Sequence, residues 1–314
     1  MPQASGQPAR HASPLAVLLG GVLVFSMASC GEDSKPPTAP DDRNPSRATP
    51  SQADVVAGTA AAESPIAVGE PSPDDFRIDA ARALMRQGRF DLAETALRTV
   101  LGEIPTADRA RFFLAVAVGK QKRYGEARGL YEQVLASPRT FPERIHTEHF
   151  LGWALYYLGE PDAARRRFLS HVEAVPDEGD SAFALGLIAL DADDRPQAER
   201  WLLEAIRRQE GEPALVREVA KAEARLGDLR YREDRLEEAI ELWRRCVARW
   251  PDHHEAWSKL ARAHARLGQD ADAAFATRQW EQALERVGRP LDGVAAPNVG
   301  ADEVAGTGST DRSP

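Results

Sequence analysis

The 314 residues carry 40 Lys and Arg against 49 Asp and Glu, a formal net charge of -9 that excludes the basic footprint expected of a nucleic-acid-binding domain. Hydrophobic residues make up 43% of the chain, enough for a real core, and aromatic residues only 7%. The middle of the chain is crowded with Ala, Leu, Glu and Arg, so helix is expected and sheet is not.

At the N-terminal end Arg10 and His11 precede the apolar run PLAVLLGGVLVF, Pro14 to Phe25. The run is too short for the roughly 20 residues of a membrane-spanning helix and fits the apolar region of an export signal. It leads into SMASC, where Ala28, Ser29 and Cys30, followed by Gly31, resemble the lipobox of bacterial lipoproteins, with Met27 standing where Leu is usual. The resemblance implies that residues 1–29 are a removed lipoprotein signal peptide and that Cys30 is lipidated and becomes the new N-terminus. Its acyl chains would hold the protein on a membrane without crossing it. It further implies a bacterial cell envelope location, lipid-anchored, at the outer membrane and facing the periplasm, because Gly31 is not the acidic residue that retains enteric lipoproteins at the inner membrane. Secretory cleavage after Ala28, with Cys30 an incidental thiol, is the alternative. Cys246 is the only other cysteine, so acylation of Cys30 leaves no intramolecular disulfide. Residues 30–73 are dominated by Pro, Ala, Ser, Thr and Asp and read as a disordered tether.

From residue 74 the chain repeats itself. GRFDLAETAL, Gly88 to Leu97, is matched by KRYGEARGLY, Lys122 to Tyr131, so that Phe90 and Tyr124, Ala93 and Ala127, and Leu97 and Tyr131 share slots. The small residue continues through Ala164, Ala198, Ala239 and Ala273, at spacings of 34, 37, 34, 41 and 34. Twelve positions upstream of each marker stand Ala81, Ala115, Gly152, Gly186, Gly227 and Ala261. Within each block apolar residues recur at three- and four-residue steps, as in Phe113, Leu114, Ala117 and Val118. Each block therefore reads as one antiparallel helix pair with small residues where the helices meet. Gly88, Gly159 and Gly268 stand where the first helix must stop in a left-handed cap.

The pattern resembles the tetratricopeptide repeat. Trp257 with Leu260, the pairs Leu151-Gly152 and Leu226-Gly227, the aromatic-slot residues Phe168, Trp243, Tyr131 and Leu202, and the closing Pro105, Pro176 and Pro251 carry the resemblance. It implies an all-α, right-handed superhelical solenoid of about six helix-turn-helix repeats over residues 74–289, in blocks beginning near 74, 108, 145, 179, 220 and 254. Three extra residues around SPRTFP predict a longer loop, and PALVREV, 213–219, predicts two added turns before the fifth repeat's first helix, with Pro213 at its start. Asp270, Thr277 and Trp280 mark the sixth repeat as a divergent cap, and residues 290–314 read as a disordered tail.

Catalytic motifs are missing from the sequence. His146-Thr147-Glu148-His149 matches neither the zincin order nor its inverse and reads as solvent-facing or groove-lining histidines, so no metal is expected. Cys246 falls in a small buried column with no recurring histidine beside it, and there is no Gly-rich phosphate loop, G-x-S-x-G or Walker lysine. No cofactor, small-molecule substrate or enzymatic activity is expected.

What remains is surface. The resemblance implies that positions 2, 5, 9, 12 and 13 of each first helix line a concave groove that binds a protein or peptide. In the middle repeats these positions give Phe112, Val116, His149, Trp153, Tyr156 and Tyr157, then Phe183 and Leu187; the fifth and sixth repeats give Lys221, Arg232, Arg262 and Arg266. Packing between repeats is the competing role for each aromatic. The function expected is a membrane-anchored scaffold for a protein or peptide partner in the cell envelope, in the manner of an assembly adaptor. The alternative is a self-associating structural subunit without a separate ligand.

Overall fold

The computed structural model describes residues 73–288; the expected signal peptide, Cys30, and all but the last residue of the expected tether, with the expected tail, lie outside the described residues. The described residues hold twelve α-helices and no strand. The first compact unit contains α1 (Pro73–Arg86), α2 (Phe90–Glu103), α3 (Asp108–Lys120), α4 (Tyr124–Ala136), a 3-10 turn (Pro142–His146) and α5 (Thr147–Tyr157). The second contains α6 (Pro161–Ala174), α7 (Asp180–Asp191), α8 (Arg195–Gln209), a 3-10 turn (Pro213–Leu215), α9 (Val216–Arg232), α10 (Leu236–Arg249), α11 (His254–Arg266) and α12 (Asp270–Arg286). Among the described residues no helix is long and apolar enough to cross a membrane.

The helices are short because every first helix is stopped by the same backbone event. Gly88, Lys122, Gly159, Asp193, Asp234 and Gly268 all have φ between 54° and 77°, in the left-handed region. They recur at the spacing of the small-residue markers, each five positions before one, and the next helix begins two residues later. The hydrogen bonds are those of a Schellman cap at each site. Gly88 N donates to Met85 O at 2.9 Å and Arg89 N to Leu84 O at 3.0 Å; Gly268 N donates to Ala265 O at 2.9 Å and Gln269 N to His264 O at 2.9 Å. The expected glycine caps are present, and Lys122, Asp193 and Asp234 fill the same slot in the remaining pairs.

Within each unit every helix packs on the next, and first helices of consecutive pairs touch: α1 meets α3, α3 meets α5, and α7 meets α9. The small-residue columns explain how closely. Ala93, Ala127, Ala164, Ala198 and Ala239 are fully buried, as is Ala81, Ala115 and Ala261 on the first helices. A Cβ added at Gly186 would lie 2.9 Å from the Leu202 side chain, and one at Gly227 would lie 2.6 Å from Trp243 Nε1. The large residue of the second helix thus sits directly on the small residue of the first. Trp243 also satisfies its indole, donating to Ala224 O at 3.1 Å and Asp228 Oδ1 at 3.2 Å, so a polar edge is buried without penalty.

Two local readings change and one holds. The SPRTFP insertion is a loop followed by the Pro142–His146 turn, so His146 ends a 3-10 turn while His149 belongs to α5, and both are buried rather than solvent-facing. PALVREV does not add two α-helical turns from Pro213: residues 213–215 form a 3-10 turn, and α9 begins at Val216. Cys246 is the buried core thiol expected of its column.

Candidate partner-binding surface

In the first unit the groove positions fall on α3 and α5. Phe112 is 0% exposed, with ring contacts to Phe113 (5.2 Å), Tyr131 (6.1 Å), Phe141 (5.8 Å) and Phe150 (5.6 Å). Val116 and His149 are buried as well, and Trp153 is 2% exposed beneath Tyr156 (5.6 Å, edge to face) and Tyr157 (5.8 Å, stacked). Tyr157 stacks in turn on Tyr124 at 4.7 Å and 16°. The reason is volume: an aromatic at a groove position next to another aromatic finds its partner inside the stack, where burial returns more than solvent exposure. Among these expected groove positions of α3 and α5, Tyr156 and Tyr157 keep solvent exposure, being half-buried, with the Trp153 ring beneath them.

A cationic pair that the sequence reading did not single out stands on the same first helices. Arg82 of α1 and Arg109 of α3 lie over the Phe113 ring at 5.0 and 5.7 Å, and Arg109 grips the buried Glu143 carboxylate through two 3.0 Å hydrogen bonds. Arg82 also reaches Asp79 at 2.8 Å. Both arginines occupy positions of the groove series in the first two repeats. Only the fold brings Glu143, from the inserted loop, onto them.

In the second unit Phe183 is buried and Leu187 half-buried on α7. Lys221 of α9 is half-buried with Glu218 at 3.7 Å, and belongs to a polar cluster rather than to open surface. That cluster surrounds Asp180 at the start of α7. Burial raises its pKa to about 7, the neighbouring Glu178 and Glu218 push the same way, and Lys221 and the 2.8 Å hydrogen bond from Gln209 Nε2 oppose them. Arg266 is exposed, pairs with Asp234 at 2.7 Å and lies over the Tyr231 ring at 5.6 Å. Arg232 and Arg262 are exposed and carry no ion pair among the described residues. Of the four cations read from the sequence, these two have charge left to offer.

Helix pairs built this way define a class of repeat proteins that present surfaces to other chains. The family model of the tetratricopeptide repeat matches residues 78–142, 151–213 and 224–283, more than half of the chain, and the protein belongs to that family. No curated protein sequence matches it. Among solved structures it is similar to PilF of Pseudomonas aeruginosa, at 21% identity and a TM-score of 0.55, covering 68% of this chain and 90% of that one. It is also similar to a chain of the Cut9–Hcn1 hetero-tetramer of the APC/C, at 13% identity and a TM-score of 0.56, covering 66% of this chain and 39% of that one. At these identities the likeness concerns the fold. The family supports a scaffold for protein–protein interaction.

Proposed function

We propose that the protein is a scaffold of the bacterial cell envelope, held by lipid on Cys30 and binding a protein or peptide partner through the exposed parts of its first helices. The observation that carries the binding half is the division of that surface. The first unit offers Tyr156 and Tyr157, supported from below by Trp153, and the second offers Arg232 and Arg262, which form no ion pair among the described residues. Rigid aromatic anchors are the side chains on which binding energy concentrates. Unpaired arginines on a chain of net charge -9 attract an acidic segment without being diluted by a generally basic surface. The first unit's surface suits an apolar segment of a polypeptide, and the second unit's suits an acidic one. The anchoring half rests on the apolar run and the Ala28-Ser29-Cys30 box.

Two experiments test the halves separately. Cells expressing Cys30→Ser are fractionated; the variant should leave the membrane fraction and lose the mass of the lipid, and its retention there would remove the anchor. The full chain is used to capture partners from envelope extracts, and each captured partner is remeasured with Tyr156→Ala/Tyr157→Ala and Arg232→Gln/Arg262→Gln at two ionic strengths. The aromatic variant should speed dissociation at either salt concentration; the arginine variant should slow association and flatten the salt dependence. Binding unchanged in both variants would move recognition to another surface, and concentration-dependent oligomers without partners would replace it with self-association.

A further inference from the structure

The second unit contains a cavity of about 340 Å3 walled by α10, α11 and α12, on a different side of α11 from the groove positions. Trp257, Leu260 and His264 line it from α11 at three- and four-residue steps, whereas Arg262 lies five residues from Trp257 and so about 140° around the helix. The apolar wall is aromatic. Trp257 and Phe275 meet edge to face at 6.1 Å, and Phe275 remains 49% exposed. The Trp257 indole already donates to Pro251 O at 2.8 Å, so the ring is held in place and its polar edge makes no demand on an occupant.

The rim carries charge of both signs. His264 is 4% exposed and its Nδ1 lies 2.5 Å from Gln269 Oε1. An amide oxygen only accepts, so Nδ1 donates and Nε2 of the neutral ring is an acceptor. That acceptor is 3.5 Å from Arg244 Nη2, a single long contact that positions the guanidinium beside the cavity without neutralising it. The next arginines along α10 are spent: Arg245 and Arg249 hold the buried Glu223 carboxylate at 2.7 and 3.2 Å. Arg244 has no such carboxylate among the described residues. Asp272, exposed in the first turn of α12, supplies the opposite charge on the rim.

We propose that this cavity docks one large apolar side chain of a partner polypeptide, flanked in that partner by an acidic residue whose carboxylate meets Arg244 and a basic residue that meets Asp272. The volume lies at the small end of ligand pockets, which run from about 300 to 1,000 Å3, and suits one aromatic side chain. The complementary charges on the rim favour a peptide carrying both signs. This site goes beyond the groove reading and shares with it only the premise that the protein binds polypeptide.

The test uses the full chain, labelled with deuterium and 15N, titrated with three blocked tripeptides: Asp-Phe-Lys, Asn-Phe-Lys and Asp-Ala-Lys. The first should bind saturably and shift amides of α10, α11 and α12. The alanine peptide should produce no saturable shift, and the asparagine peptide should bind about tenfold more weakly, as loss of a charged hydrogen bond implies. In Arg244→Gln the aspartate and asparagine peptides should bind alike. Equal binding of those two by the unaltered protein, discrimination that survives Arg244→Gln, or shifts confined to other helices would each overturn the proposal. Tyr156→Ala/Tyr157→Ala and Arg232→Gln/Arg262→Gln should leave these titrations unchanged, which separates failure of this site from failure of the groove.

Discussion

Lys122 holds φ at 64° in a slot that glycine fills in three of the six helix pairs. A non-glycine residue there costs about 1–2 kcal/mol, and replacing it with glycine gives back about 0.4–1 kcal/mol through the looser unfolded chain. The difference favours glycine, so Lys122→Gly should raise stability by about 0.5 kcal/mol, read from the midpoint of urea unfolding. Asp193 and Asp234 tolerate the conformation better, because a short polar side chain can bond its own backbone. Asp180 gives a residue-scale prediction in pH. Its carboxyl ionises near 3.8 when unfolded and at about 7 when folded, chiefly because burial penalises the charge. Between those values the unfolded chain has released the proton that the folded chain keeps, so this group's contribution falls as pH rises from about 4 to 7 and is level above. Asp180→Asn, which keeps the acceptor for Gln209, should therefore gain stability relative to the unaltered protein across that window. A stability difference that stays constant from pH 4 to 8 would contradict the burial argument.

At the scale of the element, the governing contact is one large residue on one small one. Gly227 and Trp243 are one such close pair: a methyl at Gly227 would come within 2.6 Å of the indole nitrogen and 2.8 Å of Cδ1. The indole cannot retreat without giving up its bonds to Ala224 O and Asp228 Oδ1. Gly227→Ala should cost about 1–3 kcal/mol by overpacking, despite the better helix propensity of alanine. Ala239, 0% exposed in the same hairpin, should show a similar loss on substitution by leucine. Circular dichroism melting of both variants checks the register, and wild-type melting temperatures would show that the helices meet elsewhere.

At the scale of the molecule, stability is distributed through neighbours, since a helix pair buries its apolar face only against the pairs beside it. In the second unit α9 packs on α8 and α10, and α10 on α11. The strain introduced by Gly227→Ala should therefore appear in native-state hydrogen exchange as faster exchange in α9 and α10, less in α8 and α11, and least in α6 and α12. Uniform acceleration through the unit would mean that it opens as a single body instead.

The helix pairs and their period were legible in the sequence, because each is fixed by local chemistry: small residues at close contacts and apolar steps of three and four. The left-handed slot was legible at Gly88, Gly159 and Gly268 but not at Lys122, Asp193 and Asp234, where the Schellman hydrogen bonds and the packing on either side impose the conformation. The surface was legible only as a set of positions. Which side chains on it face solvent depends on what stacks against them: Phe112 is enclosed by Phe141 and Phe150, rings distant in sequence, Trp153 is covered by Tyr157, which is itself held by Tyr124, and Lys221 faces Glu218 in a buried polar cluster. The cavity beside Trp257 was not legible at all, because three helices contribute its walls and no local pattern records the space between them. The sequence by itself determined the repeating unit through interactions a few residues apart. Tertiary structure decided which groups are spent on packing and ion pairs and which are left for a partner, since that depends on contacts between repeats.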